Sequence, residues 1–378
     1  MSRKESFHHG HDGEDLAMIR EILEQIQPLD NKAMAACQAR LDNLTKPLNS
    51  LAGFEKLAVQ LAGITRQDRP HQLRKSIILM AADHGVAVEG VSAYPPEVTA
   101  QMVANFCQGG AAINTFAAHM QAGLVLVDIG VAGDVPAMPG LIGAKIAAGT
   151  ANMTQEPAMT REQVLAAVTT GITVACEQLR QGVRVIGLGE MGIGNTTPST
   201  AIVACYSSQQ LDCLTGRGTG INDDGWQRKV QVIGKALAVN NPDPLDPLDV
   251  LAKVGGLEIA GLTGVVLAAA AHQAAVVLDG LNTSAAALIA CRLHPHVRHY
   301  LIGSHYSVEP AHQEALQLMG VPAYLHLDMR LGEGTGAALG MSLIDASLHV
   351  LNDMKTFGEA QVAIAQDGPG AVRQSQEK

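Results

Sequence analysis

Apolar positions recur along this chain in two rhythms. From Leu16 to Ile64 they return every three or four residues, which predicts amphipathic helices over residues 16–26, 31–44 and 51–64. Asp30 stands just ahead of the second, where an N-cap belongs. From Ser76 onward the texture changes to short, unbroken apolar runs, the pattern of strands buried on both faces. Such runs lie at residues 76–82, 123–127, 183–188, 275–278, 300–303 and 321–327. Helical patterns separate them at residues 97–119, 161–181, 198–207, 224–240, 258–272, 284–292 and 309–319, and a last one follows through Met341, Ile344 and Leu351.

Strands that alternate with helices predict an α/β fold on a doubly wound, mostly parallel, Rossmann-like sheet. The three leading helices have no strands between them. Residues 15–65, joined by C-terminal helices at 356–368, are expected to form a small helical subdomain beside an α/β domain at 74–355. The charged, His-rich residues 1–14 read as a disordered tail. Nearly every strand ends in glycines and polar groups: Asp83-His84, Asp128, Glu190 with Asn195, Asp279, Ser304-His305 and Glu333. Open α/β sheets bind ligands outside the carboxyl ends of their strands, so these groups are expected to converge on one edge.

Composition narrows the function. The 378 residues are 47% hydrophobic and 16% charged, enough to bury a large core. Aromatics reach only 3%, and Lys+Arg number 26 against 36 Asp+Glu, a net charge of −10 with no basic tract. Nucleic-acid binding through phosphate contacts and docking on an anionic membrane are both disfavoured. Six cysteines, none in a C-x-x-C pair, read as reduced, buried thiols of a cytoplasmic protein. The polar N-terminus is unlike a signal peptide. The longest apolar run, residues 262–278, is interrupted by Thr263, His272 and Gln273 and fits a buried helix followed by a strand better than a membrane span.

Several short motifs bear on chemistry. Gly187-x-Gly189-x-x-Gly192, with Asp212 about 20 residues on, matches a dinucleotide fingerprint, but Glu190 inside the loop would repel a pyrophosphate. No P-loop motif is present. Residues 192–197 offer backbone N–H groups and hydroxyls at a helix start, suited to one phosphate; plain capping by Asn195 or Thr196 is the alternative. Arg217, Arg228 and Lys229 could add positive charge, although the last two also suit a solvated helix face. His84 and His305 show no metal-ligand spacing. Gly332-Glu333-Gly334 sets one carboxylate among glycines between an apolar run and a helix, where it could act on a bound molecule.

Taken in order, these stretches resemble the nicotinate-nucleotide:5,6-dimethylbenzimidazole phosphoribosyltransferase family, which makes the lower-ligand nucleotide of cobalamin. The resemblance is carried by Ala82-Asp83-His84-Gly85-Val86, by Val91-Ser92-Ala93-Tyr94-Pro95 with Glu97-Val98-Thr99, and by Gly109-Gly110-Ala111-Ala112-Ile113-Asn114. It continues through Gly187 to Pro198, Gly216-Arg217-Gly218-Thr219-Gly220, Lys253-Val254-Gly255-Gly256, Gly261-Leu262-Thr263-Gly264 and Leu278-Asp279-Gly280. Ser304-His305-Tyr306-Ser307 with Glu309, and Leu331 to Ala338, complete it.

The resemblance implies transfer of ribose 5-phosphate from nicotinate mononucleotide to dimethylbenzimidazole, with inversion at C1′ and release of nicotinate. It makes Glu333 the general base and Glu190 a second site carboxylate. It places Gly192, Gly194, Asn195, Lys229 and Ser307 around the nucleotide and its phosphate, with Thr196 in the same turn. Met102, Met191 and Leu331 would line the base pocket, and Gly332 and Gly334 flank the acid. It further implies a homodimer that needs no metal or redox cofactor and works on small molecules. The family's usual K-P-x-G-S-L-G-x-L-E is here Lys46-Pro47-Leu48-Asn49-Ser50-Leu51-Ala52-Gly53-Phe54-Glu55, without either expected glycine in place, and Ala311 stands where glycine is usual. The alternatives are the same chemistry on adenine or a phenol, an NAD(P)-dependent oxidoreductase, and a non-catalytic binding homologue.

Overall fold

The computed structural model describes residues 12–376. Its centre is a sheet of six strands: β1 (Arg74–Ala82), β2 (Gly123–Gly130), β3 (Leu141–Gly143), β4 (Val183–Met191), β5 (Ala275–Leu278) and β6 (Leu301–Gly303). Every pairing is parallel and the spatial order is β3-β2-β1-β4-β5-β6. Helices cover both faces, so the interior strands carry unbroken apolar runs, as in Ile77–Ala82, which is wholly buried. The strand order reverses between β1 and β4, and a crevice opens there beyond the strand ends.

Five of the six expected runs are strands; the sixth is not. Residues 321–327 lie beside β6 with a single bridge, Leu325 to His305. Pro322 has no N–H to give a ladder, and the amides of Tyr324 and Leu325 both donate to Ser304 O, at 3.1 and 3.0 Å. The sheet instead gains β3, whose three residues are too few to register as a run.

The helices, in chain order, are α1 (Asp12–Gln25), α2 (Asn31–Asp42), α3 (Gly53–Thr65), α4 (Val98–Cys107), α5 (Ala112–His119), α6 (Arg161–Arg180), α7 (Thr196–Ala204) and α8 (Leu211–Leu214). They continue as α9 (Asp223–Asn240), α10 (Pro247–Val254), α11 (Leu257–Ala271), α12 (Leu281–Leu293), α13 (Pro310–Met319), α14 (Thr335–Asp353), α15 (Phe357–Ala360) and α16 (Gly368–Arg373). Asp30 does cap α2, accepting from the amides of Lys32 and Ala33 at 2.9 and 3.0 Å. α11 and α6 cover one face of the sheet in near backbone contact, because a side chain at Gly264 would collide with Val168 O. α4, α5 and α14 cover the other. Among the described residues no helix is long and apolar enough to cross a membrane.

The helix expected over 97–119 is broken. Gln108, Gly109, Gly110 and Ala111 separate α4 from α5, with Gly109 at φ +79°. Asn114 seals the break: its Oδ1 accepts from the Ala111 amide at 3.0 Å and its Nδ2 donates to Phe106 O at 2.9 Å. The break gives α5 a free N-terminus inside the molecule.

α1 packs on α6 and α11, whereas α2 and α3 enclose a small second core of Cys37, Leu41, Leu44, Ala58 and Ala62 against Leu351 of α14. The C-terminal segment docks on α2 through Arg373–Asp42, Phe357 N to Asn43 O and Ser375 N to Asn43 Oδ1. Of the C-terminal helices expected at 356–368, α15 lies within that range, whereas α16 begins only at its end and runs on to Arg373. Residues 12–14, expected in the tail, begin α1; residues 1–11 of that expected tail lie outside the described residues. Of the six free thiols only Cys37 is fully buried, and Cys213 is exposed, which corrects the expectation of uniformly buried cysteines.

The two missing glycines are explained by backbone geometry. Asn49 and Ala52 hold φ of +57° and +40°, so the turn survives without them. A buried ion pair, Lys46 Nζ to Glu55 Oε2 at 2.9 Å, closes it, and Glu55 Oε1 accepts the Leu51 amide. Asn tolerates this region; Ala does not. Ala52→Gly is therefore expected to stabilise the fold by about 1 kcal/mol, read as a higher urea midpoint with an unchanged slope. A lowered midpoint would contradict strain at Ala52.

Candidate active site

The crevice at the β1/β4 switch holds a cavity of about 360 Å³. Its centre is the loop 332–334, three successive residues with left-handed backbone: Gly332, Glu333 and Gly334 at φ +87°, +63° and +89°. Only the middle one carries a side chain, and it is the carboxylate. The loop is pinned from below by Asp279, whose two oxygens accept from the amides of Gly334 and Gly336 at 2.9 and 2.8 Å. It lies directly on β4: a Cβ at Gly189 would stand 2.6 Å from Glu333 O. Of the glycines that imitate a dinucleotide fingerprint, Gly189 thus makes room for the acid loop, Gly187 for α14 and Gly192 for His84. Gly187 and Gly189 lie inside the strand rather than in a turn after it, and Asp212 only bonds its neighbour's amide in α8.

Glu333 is 6% exposed, with its Oε2 3.4 Å from the Ile113 amide in the first turn of α5. Burial raises its pKa, and that helix N–H opposes the rise. Glu190, at the end of β4, is pushed up to about 7, chiefly by burial; hydrogen bonding from Asn282 opposes this, and Glu258 adds to it. Burial also raises Asp279, to about 8, with Glu190 adding to the shift. Three buried carboxylates around one loop cannot all ionise freely, so the site holds protons near neutral pH.

Asn195 begins α7, but its side chain makes no cap; it donates to Glu190 and its Oδ1 accepts from Asn282 at 3.0 Å. Ser199 holds Asn282 in turn, at 2.7 Å. The capping alternative for Asn195 is thereby replaced by a chain of amides that orients Glu190. Beneath Gly192, His84 and Glu258 form a fully buried pair at 2.8 Å. Burial opposes the charge on His84, yet Glu258, with Asp83 and Glu190 adding to it, outweighs burial and the pKa lies above the usual value.

Lys229 is not on a solvated face: it is fully buried, whereas Arg228 beside it is exposed. Its Nζ donates to Thr196 Oγ1 at 2.7 Å. Burial pushes its pKa down to about 8, against the opposing charge of Glu309. An ammonium has three donors, and among the described residues only this one hydrogen bond holds it.

Glu190, Met191, Gly192, Gly194, Asn195 and Thr196 all line the cavity, as do Met102, Ser307, Leu331, Gly332 and Glu333. Two expected site residues stand behind the wall: Lys229, reached through Thr196, and Gly334, packed on Gly189. Asp83 and Asp128 share the edge but not the cavity, since they accept the amides of Ala132 and Val131. Asn282, Thr219 and Arg330 also line the cavity and were not singled out from the sequence. For Asn282 a signal existed, three residues past Asp279 at a strand end.

The fold and its switch-point crevice place the chain among doubly wound α/β enzymes. A family model described as phosphoribosyltransferase matches residues 26–362. The chain is 51% identical over 348 residues to a nicotinate-nucleotide–dimethylbenzimidazole phosphoribosyltransferase of Geobacter sulfurreducens, covering 92% of this chain and 99% of that one. It is 52% identical, with the same coverage, to one from Roseiflexus sp.. A solved structure of such an enzyme from Thermus thermophilus superposes with a TM-score of 0.84 at 40% identity, covering 89% of this chain and 99% of that one. The chain belongs to the nicotinate-nucleotide–dimethylbenzimidazole phosphoribosyltransferase family.

Proposed function

We propose that this protein moves the ribose 5-phosphate of nicotinate mononucleotide onto 5,6-dimethylbenzimidazole, giving α-ribazole 5′-phosphate and nicotinate. One observation carries the reading: a single cavity joins a buried carboxylate, apolar walls and an incomplete anion cradle. Met102, Met191 and Leu331 offer surface for a flat aromatic base. Thr196 and Ser307, backed by Lys229, offer hydroxyls and charge for a phosphate.

Glu333 takes the benzimidazole N–H proton, which raises the nucleophilicity of the other ring nitrogen. That nitrogen attacks C1′ from the face opposite nicotinate, and the glycosidic electron pair returns to the pyridinium ring, so the leaving group needs no acid. A carboxylate with a raised pKa is a stronger base, and holding both partners in line supplies much of the remaining acceleration. Six free thiols suit a cytoplasmic enzyme.

The test is incubation with nicotinate mononucleotide and dimethylbenzimidazole, followed by chromatography of the products. Nicotinate and α-ribazole 5′-phosphate are expected in equal amounts; nicotinate released without a base would point to hydrolysis. Adenine and a phenol in place of the base read the acceptor range.

The cradle also sets a pH dependence. A phosphate binds the protonated form of Lys229, whose pKa in the empty site is about 8. Donor KM is therefore expected to stay low below that pH and to climb by about tenfold per unit well above it. A KM flat from pH 7 to 10 would exclude Lys229 from the cradle.

A further inference from the structure

The turn 216–220 touches several of the segments that wall the cavity. Its Gly218 amide donates to Glu309 Oε1 at 2.8 Å, and its Gly218 carbonyl accepts from Arg330 at 3.0 Å, three residues before Glu333. A Cβ at Gly218 would stand 2.8 Å from Thr196 Oγ1 and 3.1 Å from Lys229 Nζ, so the turn lies against the anion cradle. Thr219 reaches the other way: its Oγ1 accepts from the Ala93 amide at 2.9 Å and pairs with Ser92 Oγ at 3.2 Å. Ser92 and Tyr94 belong to the loop that walls the cavity ahead of α4, where Val98 and Met102 stand.

These bonds join segments that the sequence keeps far apart. Thr219 makes the side-chain hydrogen bonds that tie the 91–94 loop to the cradle. An anion on Lys229 would neutralise a buried charge packed against Gly218, and any shift or stiffening of the turn would pass through Thr219 to the acceptor wall and through Arg330 to the acid loop. We infer that Thr219 is a positioning residue that couples occupancy of the phosphate cradle to binding of the acceptor base. The inference rests on the proposed reaction and deepens it: the donor's phosphate and the acceptor base each strengthen the other's binding.

The experiment uses ribose 5-phosphate, which carries the phosphate and sugar but no leaving group, so no turnover intervenes. Calorimetry gives the affinity for dimethylbenzimidazole with and without it. In the unaltered protein ribose 5-phosphate is expected to tighten base binding by roughly tenfold, the size of a typical coupling between sites, and the base to tighten ribose 5-phosphate equally. Thr219→Val keeps the shape and removes the hydroxyl, and should reduce that factor to below about twofold; Thr219→Ser should restore it. A merely structural role for Thr219 would change affinities without changing their ratio. Full coupling in Thr219→Val, or none in the unaltered protein, overturns the inference while leaving the reaction standing. An unaltered protein that binds neither ligand and makes no product overturns both.

Discussion

Glu333→Gln is expected to lower turnover by roughly 10²- to 10⁴-fold, the usual contribution of a general base, while nicotinate mononucleotide still binds. The amide has the shape of the carboxylate and the same place between Gly332 and Gly334, so the left-handed loop should persist. What it lacks is a basic oxygen for the benzimidazole proton. The acid limb of the pH–rate profile should vanish with the carboxylate, because the group whose deprotonation it reports is gone. Its position in the unaltered protein should lie above the ordinary glutamate range, since burial outweighs the single Ile113 amide. A variant that turns over near the normal rate would remove Glu333 from the chemistry, and Glu190, held near 7 in the same pocket, would become the next candidate.

Lys229→Met carries the second large effect, and two readouts separate a binding role from an architectural one. The methionine fills the space of the lysine stem in a fully buried site and removes the ammonium. Loss of charge-assisted bonds to a phosphate should raise donor KM by roughly a hundredfold. Folding stability should change little, because relief of an under-bonded buried ammonium is offset by loss of its attraction to Glu309. A residue kept for architecture would show the reverse, with a fall in stability and an unchanged KM. Thermal unfolding and donor saturation curves on the same preparation decide between them.

Much of this site could be read from the chain because it rests on local patterns. Strands buried on both faces must be apolar throughout, and the five runs from Ser76 to Gly303 state their own structure. The polar residues at their ends mark the ligand edge by a rule of topology. The same locality explains the errors. β3 is three residues long, and residues 321–327 look like a strand until Pro322 is weighed against a ladder it cannot join. The helix 97–119 has the right period on either side of Gly109 but not across it. Lys229 follows an exposed Arg228, and nothing in their spacing says that one side chain turns inward; only family resemblance placed it in the site. The remaining misses are long-range. Asn282 meets Asn195 across 87 positions, Arg330 meets Gly218 across 112, and Thr219 meets Ala93 across 126. No window along the sequence contains both partners.

The break between α4 and α5 looks at first like a flaw in an amphipathic helix. Its effect is to aim the amide of Ile113 at an acid 220 positions later in the chain. That amide, and nothing that touches a substrate, holds down a pKa that burial drives up. The two glycines at the break therefore work as a tuning peg. Loosening that one helical turn would let the pKa of Glu333 climb further, and tightening it would bring the pKa down.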